Sequence, residues 1–146
     1  MPEMTQDDLS LTVERRINAP VEKVYAAWLD PATLTRFFSN VPGVTLSAAK
    51  AEPRVGGRFQ LDIQAGGKTL PHSGTYLELN PHSRIAFTWE SHSSTVEGST
   101  VTLDLVPDRT ATLLTLTHVR FANEARRNDH AGSWAKILDA LTTTNL

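Results

Sequence analysis

The sequence predicts an α+β fold in which a curved antiparallel sheet of seven strands grips a long C-terminal helix. Three observations carry this. From about residue 44 to 118, apolar and polar residues alternate with a period near two and are interrupted at short intervals by turn residues. Residues 123–144 return to helical spacing. Between a first strand and the meander lie two helical segments, each opened by a proline. Short connections between consecutive strands require antiparallel pairing, because parallel neighbours need long crossovers.

The elements follow in order. Leu9-Ser10-Leu11-Thr12-Val13-Glu14 alternates as a half-buried strand does, and the strand runs to Ile17. Pro20 suits the first helical position, where its missing N–H is not needed, and Val21, Val24, Tyr25 and Trp28 give a helix over 20–29. Asp30 ends this helix and caps a second one starting at Pro31, whose apolar edge is Leu34, Phe37 and Phe38. Strands follow over 44–51, 57–65, 71–79, 84–91, 95–106 and 111–119. Residues 53–56, Gly66-Gly67, Asn80-Pro81, residues 91–94 and Pro107-Asp108-Arg109 supply the turns between them.

Parity sorts the side chains. Phe59, Leu61 and Ile63 share a face, as do Ile85, Phe87 and Trp89, then Val101, Leu103 and Leu105, then Leu114 and Leu116 with His118 at the end. Their alternates, such as Arg58, Gln60, Asp62, Arg84 and Asp104, suit water, so the sheet has one apolar face. The cover is the last helix, whose stripe is Ala131, Trp134, Leu138 and Leu141 with Ile137 beside it. A helix about 10 Å wide cannot fill so broad a concave sheet. The remaining space is either a ligand cavity ringed by loops or is filled by Phe59, Phe87, Trp89 and Trp134.

Composition narrows the function. The 146 residues, 40% hydrophobic and 21% charged, form one domain (1–146) able to bury a core without metal or disulfide. A net charge of −2 provides no positive field for a phosphate backbone, so no nucleic-acid partner is expected. The absence of cysteine excludes thiolate catalysis and fits a reducing cytoplasm. Residues 1–8 are polar and acidic, unlike a signal peptide, and no apolar run approaches the ~20 residues that span a bilayer. A cytoplasmic protein without membrane association is expected.

Several segments carry a family resemblance: Ile17-Asn18-Ala19-Pro20-Val21-Glu22-Lys23-Val24-Tyr25-Ala26-Ala27-Trp28, Val55-Gly56-Gly57-Arg58-Phe59, Gly74-Thr75-Tyr76-Leu77-Glu78-Leu79-Asn80-Pro81, Arg84-Ile85-Ala86-Phe87-Thr88-Trp89, Val101-Thr102-Leu103 with Thr112 to His118, and His130-Ala131-Gly132-Ser133-Trp134 leading to Leu138 and Leu141. With this element order, the chain resembles the START-like superfamily (SRPBCC, helix-grip fold) from about residue 10 to 144. Within it, the chain is similar to the branch named for the activator of the heat-shock-protein-90 ATPase. One departure is Ser133, which separates the helix glycine from Trp134. The resemblance implies the fold. Its activities are diverse: lipid and other ligand carriers, polyketide cyclases, chaperone-ATPase activators and stress-response proteins. A homodimer is compatible with it.

Candidate site residues follow from parity and chemistry. A small hydrophobic or amphipathic ligand would be lined by Trp28, Phe59, Leu61, Tyr76, Phe87, Trp89, Leu103, Leu116, Trp134 and Leu138, and oriented by His72, Tyr76 and His118. The alternative is a cavity enzyme of cyclase, dehydratase or hydrolase type with His118 or His72 as acid/base. A third reading is an interaction protein that stimulates a chaperone ATPase. His118 and His130 are expected near each other or near the pocket mouth, whereas His82 and His92 belong to exposed turns. No histidine pair has metal-ligand spacing, and no phosphate loop or nucleophile elbow is present, so neither metal nor cofactor is expected. Gly132 is expected to permit close helix–sheet contact or a kink.

Overall fold

The period-two alternation becomes one strongly curved antiparallel sheet. The computed structural model describes residues 9–91 and 95–146, the side chains of 95–97 excepted. The order is β1 (Ser10–Ile17), α1 (Val21–Ala27), α2 (Pro31–Phe38), β2 (Val44–Ala51), β3 (Arg58–Ala65), β4 (Lys68–Asn80), β5 (Arg84–Thr88), β6 (Glu90–Ser91), β7 (Thr95–Asp108), β8 (Ala111–Phe121) and α3 (Glu124–Thr143). Seven strands lie in the order β1-β8-β7-β5-β4-β3-β2, and the two-residue β6 also pairs with β4. The helix-grip arrangement is therefore present, with α1 and α2 inserted after the first strand.

Local chemistry explains the boundaries. Asp30 Oδ2 accepts from the Thr33 backbone N–H at 3.1 Å and from its hydroxyl at 2.6 Å, which starts α2 at Pro31. Asn123 caps α3 in the same way, accepting from the Arg126 N–H at 2.9 Å. Pro20 stands one position before α1 as its N-cap, rather than inside the helix.

Two strands differ from the expected spans. β4 begins at Lys68, not 71, because Gly66 and Gly67 both take positive φ (59° and 76°) and close a two-residue turn that pairs Ala65 with Lys68. The expected strand 84–91 is broken at Trp89, whose N–H donates to the Ser99 carbonyl at 2.9 Å. Opposite it, Gly98 (φ 86°) lies in a register shift of β7 between Thr95 and Thr100.

The concave face is the core. Leu103, Leu114, Leu116, Leu138 and Leu141 are fully buried in one apolar cluster with Trp134. Each such side chain contributes about 1.5–3 kcal/mol of burial. The outer face is wet and laced with exposed ion pairs, Arg58–Glu90, Arg84–Asp104 and Arg16–Asp108, while Arg15–Asp139 ties β1 to α3 at the rim of the concave face. Such pairs are worth little individually.

Two glycines mark opposite situations. A Cβ at Gly74 would stand 2.0 Å from the Thr88 carbonyl oxygen and 2.5 Å from the Phe59 ring. Gly74 is the register partner of Phe59, so the missing side chain is what admits that ring to the interior. Gly132 corrects its expectation: a Cβ there meets nothing within 4 Å, so no close helix–sheet approach depends on it.

Candidate functional site

The concave face carries two adjoining spaces, and the strands can be followed from one to the other. Along β3, Phe59 and Leu61 line an inner void, and Ile63 and Ala65 line an outer cleft. Along β4, Tyr76 belongs to the void, and His72 and Leu70 belong to the cleft. Gly74, between Tyr76 and His72, leaves its place to the Phe59 ring. Phe38, Trp89 and Trp134 line both spaces and form the wall between them.

The inner void is about 20 Å³, lined by Trp28, Leu34, Phe38, Phe59, Leu61, Tyr76, Phe87, Trp89 and Trp134. That is room for about one water-sized atom. Aromatic packing has closed the rest: Phe59–Phe87 centroids are 5.1 Å apart, Trp89–Trp134 4.9 Å and Trp28–Phe37 5.1 Å. Burial pushes the Tyr76 phenol up to about 12, so it stays protonated. The indole N–H groups of Trp28 and Trp89 are buried without an acceptor among the described residues.

The outer cleft is about 340 Å³, within the size range of small-molecule sites. Its walls come from Phe38 at the end of α2, Val41 and Pro42 after it, Val44 of β2, Ile63 and Ala65 of β3, Leu70 and His72 of β4, Trp89, and Asp129, His130, Ser133, Trp134, Lys136 and Ile137 of α3. The floor is mostly hydrocarbon, and the polar groups come chiefly from the first half of α3. Ser133, the residue that separates Gly132 from Trp134, lines the cleft, while Trp134 stays 2% exposed in the core.

Two imidazoles in the cleft wall are held in defined tautomers. His72 Nδ1 lies 2.9 Å from the Leu70 carbonyl, and His130 Nδ1 lies 2.8 Å from the Arg126 carbonyl. A carbonyl only accepts, so each Nδ1 carries the proton and each Nε2 keeps a lone pair. Desolvation lowers both pKa values, and each ring is neutral at pH 7. The cleft therefore offers two neutral nitrogen acceptors, from opposite walls, and one lysine.

His118 is placed elsewhere. It is fully buried and lines neither space, with Nδ1 accepting from the Trp134 indole N–H at 3.0 Å and Nε2 2.7 Å from the Ser99 hydroxyl. An indole N–H only donates, so the proton sits on Nε2 and is given to Ser99. Desolvation lowers its pKa to about 3. Both nitrogens are thus occupied in holding α3 to β7 and β8. His118 and His130 do lie together, ring centroids 5.4 Å apart.

Of the other expected residues, Trp28, Phe59, Leu61, Tyr76 and Phe87 line the inner void, and His72 lines the cleft. Trp89 and Trp134 line both, while Leu103, Leu116 and Leu138 are fully buried and line neither. His82 is in an exposed turn with its ring edge against Tyr25, and His92 lies outside the described residues. Sequence reasoning missed most of the cleft. Ile63 and Ala65 share parity with Phe59, and His130, Ser133 and Ile137 stand at i, i+3 and i+7 on α3, so the signal was present. Among the described residues no group of three or more His, Asp or Glu is arranged to hold a metal, and no helix is long and apolar enough to cross a membrane.

Comparison with known proteins gives the following. Residues 18–145 match the family described as activator of Hsp90 ATPase homolog 1-like protein. Among solved structures, the chain is similar to protein CV1439 from Chromobacterium violaceum (26% identity, TM-score 0.77, covering 92% of this chain and 94% of that one). It is also similar to CalU16 from Micromonospora echinospora (27%, TM-score 0.69, covering 90% and 73%). The AHSA1-like protein from Aeromonas hydrophila shares the fold at 22% identity (TM-score 0.77, covering 91% and 89%). No curated protein matches. With a match over most of its length, the chain belongs to the family of activator of Hsp90 ATPase homolog 1-like proteins.

Proposed function

We propose that the chain binds one small hydrophobic or amphipathic molecule in the outer cleft, with α3 on one side and β2 to β4 on the other. The observation that supports this most is the cleft itself: about 340 Å³, with an apolar floor and few polar groups at fixed positions. Apolar burial at roughly 25 cal/mol per Å² supplies the affinity. The Nε2 lone pairs of His72 and His130 and the Lys136 ammonium orient polar substituents. A thermal-shift screen against fatty acids, sterols, flavonoids and polyketide-like aromatics tests this, because a native-state ligand raises the melting temperature by mass action. A saturable shift for one chemical class is expected, and no shift across the panel would overturn the reading.

One observation favours a second reading, acid–base turnover of the bound molecule. Two neutral imidazoles with free Nε2 atoms line the same cleft. Turnover that is lost in His72→Gln or His130→Gln while binding persists would establish it.

A further inference from the structure

Trp28 and Trp89 each bury an N–H donor and give it no acceptor among the described residues, although each residue is only 4% exposed. The third tryptophan, Trp134, donates to His118. An indole N–H can only donate, and buried ones ordinarily find an acceptor. The two unpartnered donors come from different parts of the chain, Trp28 from the end of α1 and Trp89 from the break between β5 and β6. Both nevertheless line the same inner void.

The rest of that void limits what can fill it. Its other walls are hydrocarbon apart from the Tyr76 phenol, and it has no charged side chain. A carboxylate end would bring a charge with no counter-ion, at high desolvation cost. A hydrocarbon end would leave both donors unpaired. A carbonyl oxygen has two lone pairs and carries no net charge. At about 20 Å³ the void has room for one such atom, and its wall of Phe38, Trp89 and Trp134 is shared with the cleft.

We infer that the ligand of the cleft is a neutral carbonyl compound on an apolar ring body, which inserts its carbonyl oxygen past Trp89 and Trp134 to accept hydrogen bonds from the Trp28 and Trp89 indoles. This rests on the cleft being the ligand site.

The test titrates the ¹⁵N-labelled chain with 2-acetonaphthone and with 2-isopropenylnaphthalene, which has the same shape but a =CH2 group in place of the carbonyl oxygen. The three indole N–H resonances are assigned with single Trp→Phe variants. The ketone is expected to bind at least about tenfold tighter, the net worth of the two hydrogen bonds together. It should also move the Trp28 and Trp89 indole resonances downfield, which the hydrocarbon should not. Equal affinities with unmoved indoles would overturn the carbonyl inference and leave the cleft reading standing, whereas no saturable binding of either compound would overturn both. In a folded Trp28→Phe variant the ketone's advantage should shrink while hydrocarbon affinity holds, and an unchanged advantage counts against the inference. The titration of the unmutated chain decides the matter if that variant does not fold.

Discussion

The Trp134 indole donates to Nδ1 of His118 at 3.0 Å, and this bond fixes which ring nitrogen of His118 holds the proton. The proton is on Nε2, directed to the Ser99 hydroxyl 2.7 Å away. The helix and the two strands it covers are thereby tied through one neutral imidazole. Protonation of Nδ1 would put two donors face to face.

The stability of the fold should therefore fall with acid well above the carboxylate range. The folded pKa of His118 is lowered to about 3, against about 6.5 unfolded. Below about 6.5 the unfolded chain holds a proton that the folded chain does not, so stability is complete above that pH and is lost as pH falls. His72 and His130 are shifted in the same direction. The Asp30 and Glu90 carboxyls are likewise held below their ordinary values, by hydrogen bonds from Thr33 and Arg58. Urea unfolding between about pH 7 and 5 should show a loss of about 2 kcal/mol from His118 alone. His118→Gln, which remains neutral and can still accept and donate, should flatten that slope in part.

Blocking the cleft should abolish binding without harming the fold. Ser133 is exposed and lines the cleft, so the indole of Ser133→Trp would occupy the ligand's place. The variant should melt close to the unmutated chain and bind any ligand from the thermal-shift screen at least about tenfold more weakly.

Two glycine-to-alanine changes should act in opposite directions. Gly132→Ala places a methyl in open space within α3 and should stabilise by roughly 0.5–1 kcal/mol. Gly74→Ala drives a methyl into the Thr88 carbonyl and the Phe59 ring and should cost more than about 3 kcal/mol, or prevent folding. Denaturant midpoints of the two variants against the parent chain check both.

Much of the fold was legible because strand parity and turn chemistry are local. Phe59, Leu61, Phe87 and Trp89 face inward as their alternation requires, and Gly66-Gly67 turns the chain as its composition requires. The site was harder to read because it depends on distances between elements. Nothing local reveals that Phe59 lies over Gly74, that Trp89 meets Trp134, or that these rings reduce the expected cavity to one atom's width. Nor does it reveal that the open space shifts toward Val41, Leu70 and Ser133, which read individually as loop, edge and helix surface. His118 was placed inward correctly by parity. Its two fixed hydrogen bonds, which occupy both nitrogens, come from residues 16 and 19 positions away.

The central claim is that a ligand occupies the cleft beside the aromatic wall, with only its leading atom beyond it. Intermolecular NOEs from a saturating bound ligand to the methyl groups of the chain test this most directly. Strong NOEs to Ile63, Ile137 and Val44, with none to Leu103 or Leu116, are the predicted result. NOEs confined to Leu103 and Leu116, or no saturable binding by any member of the panel, would contradict it.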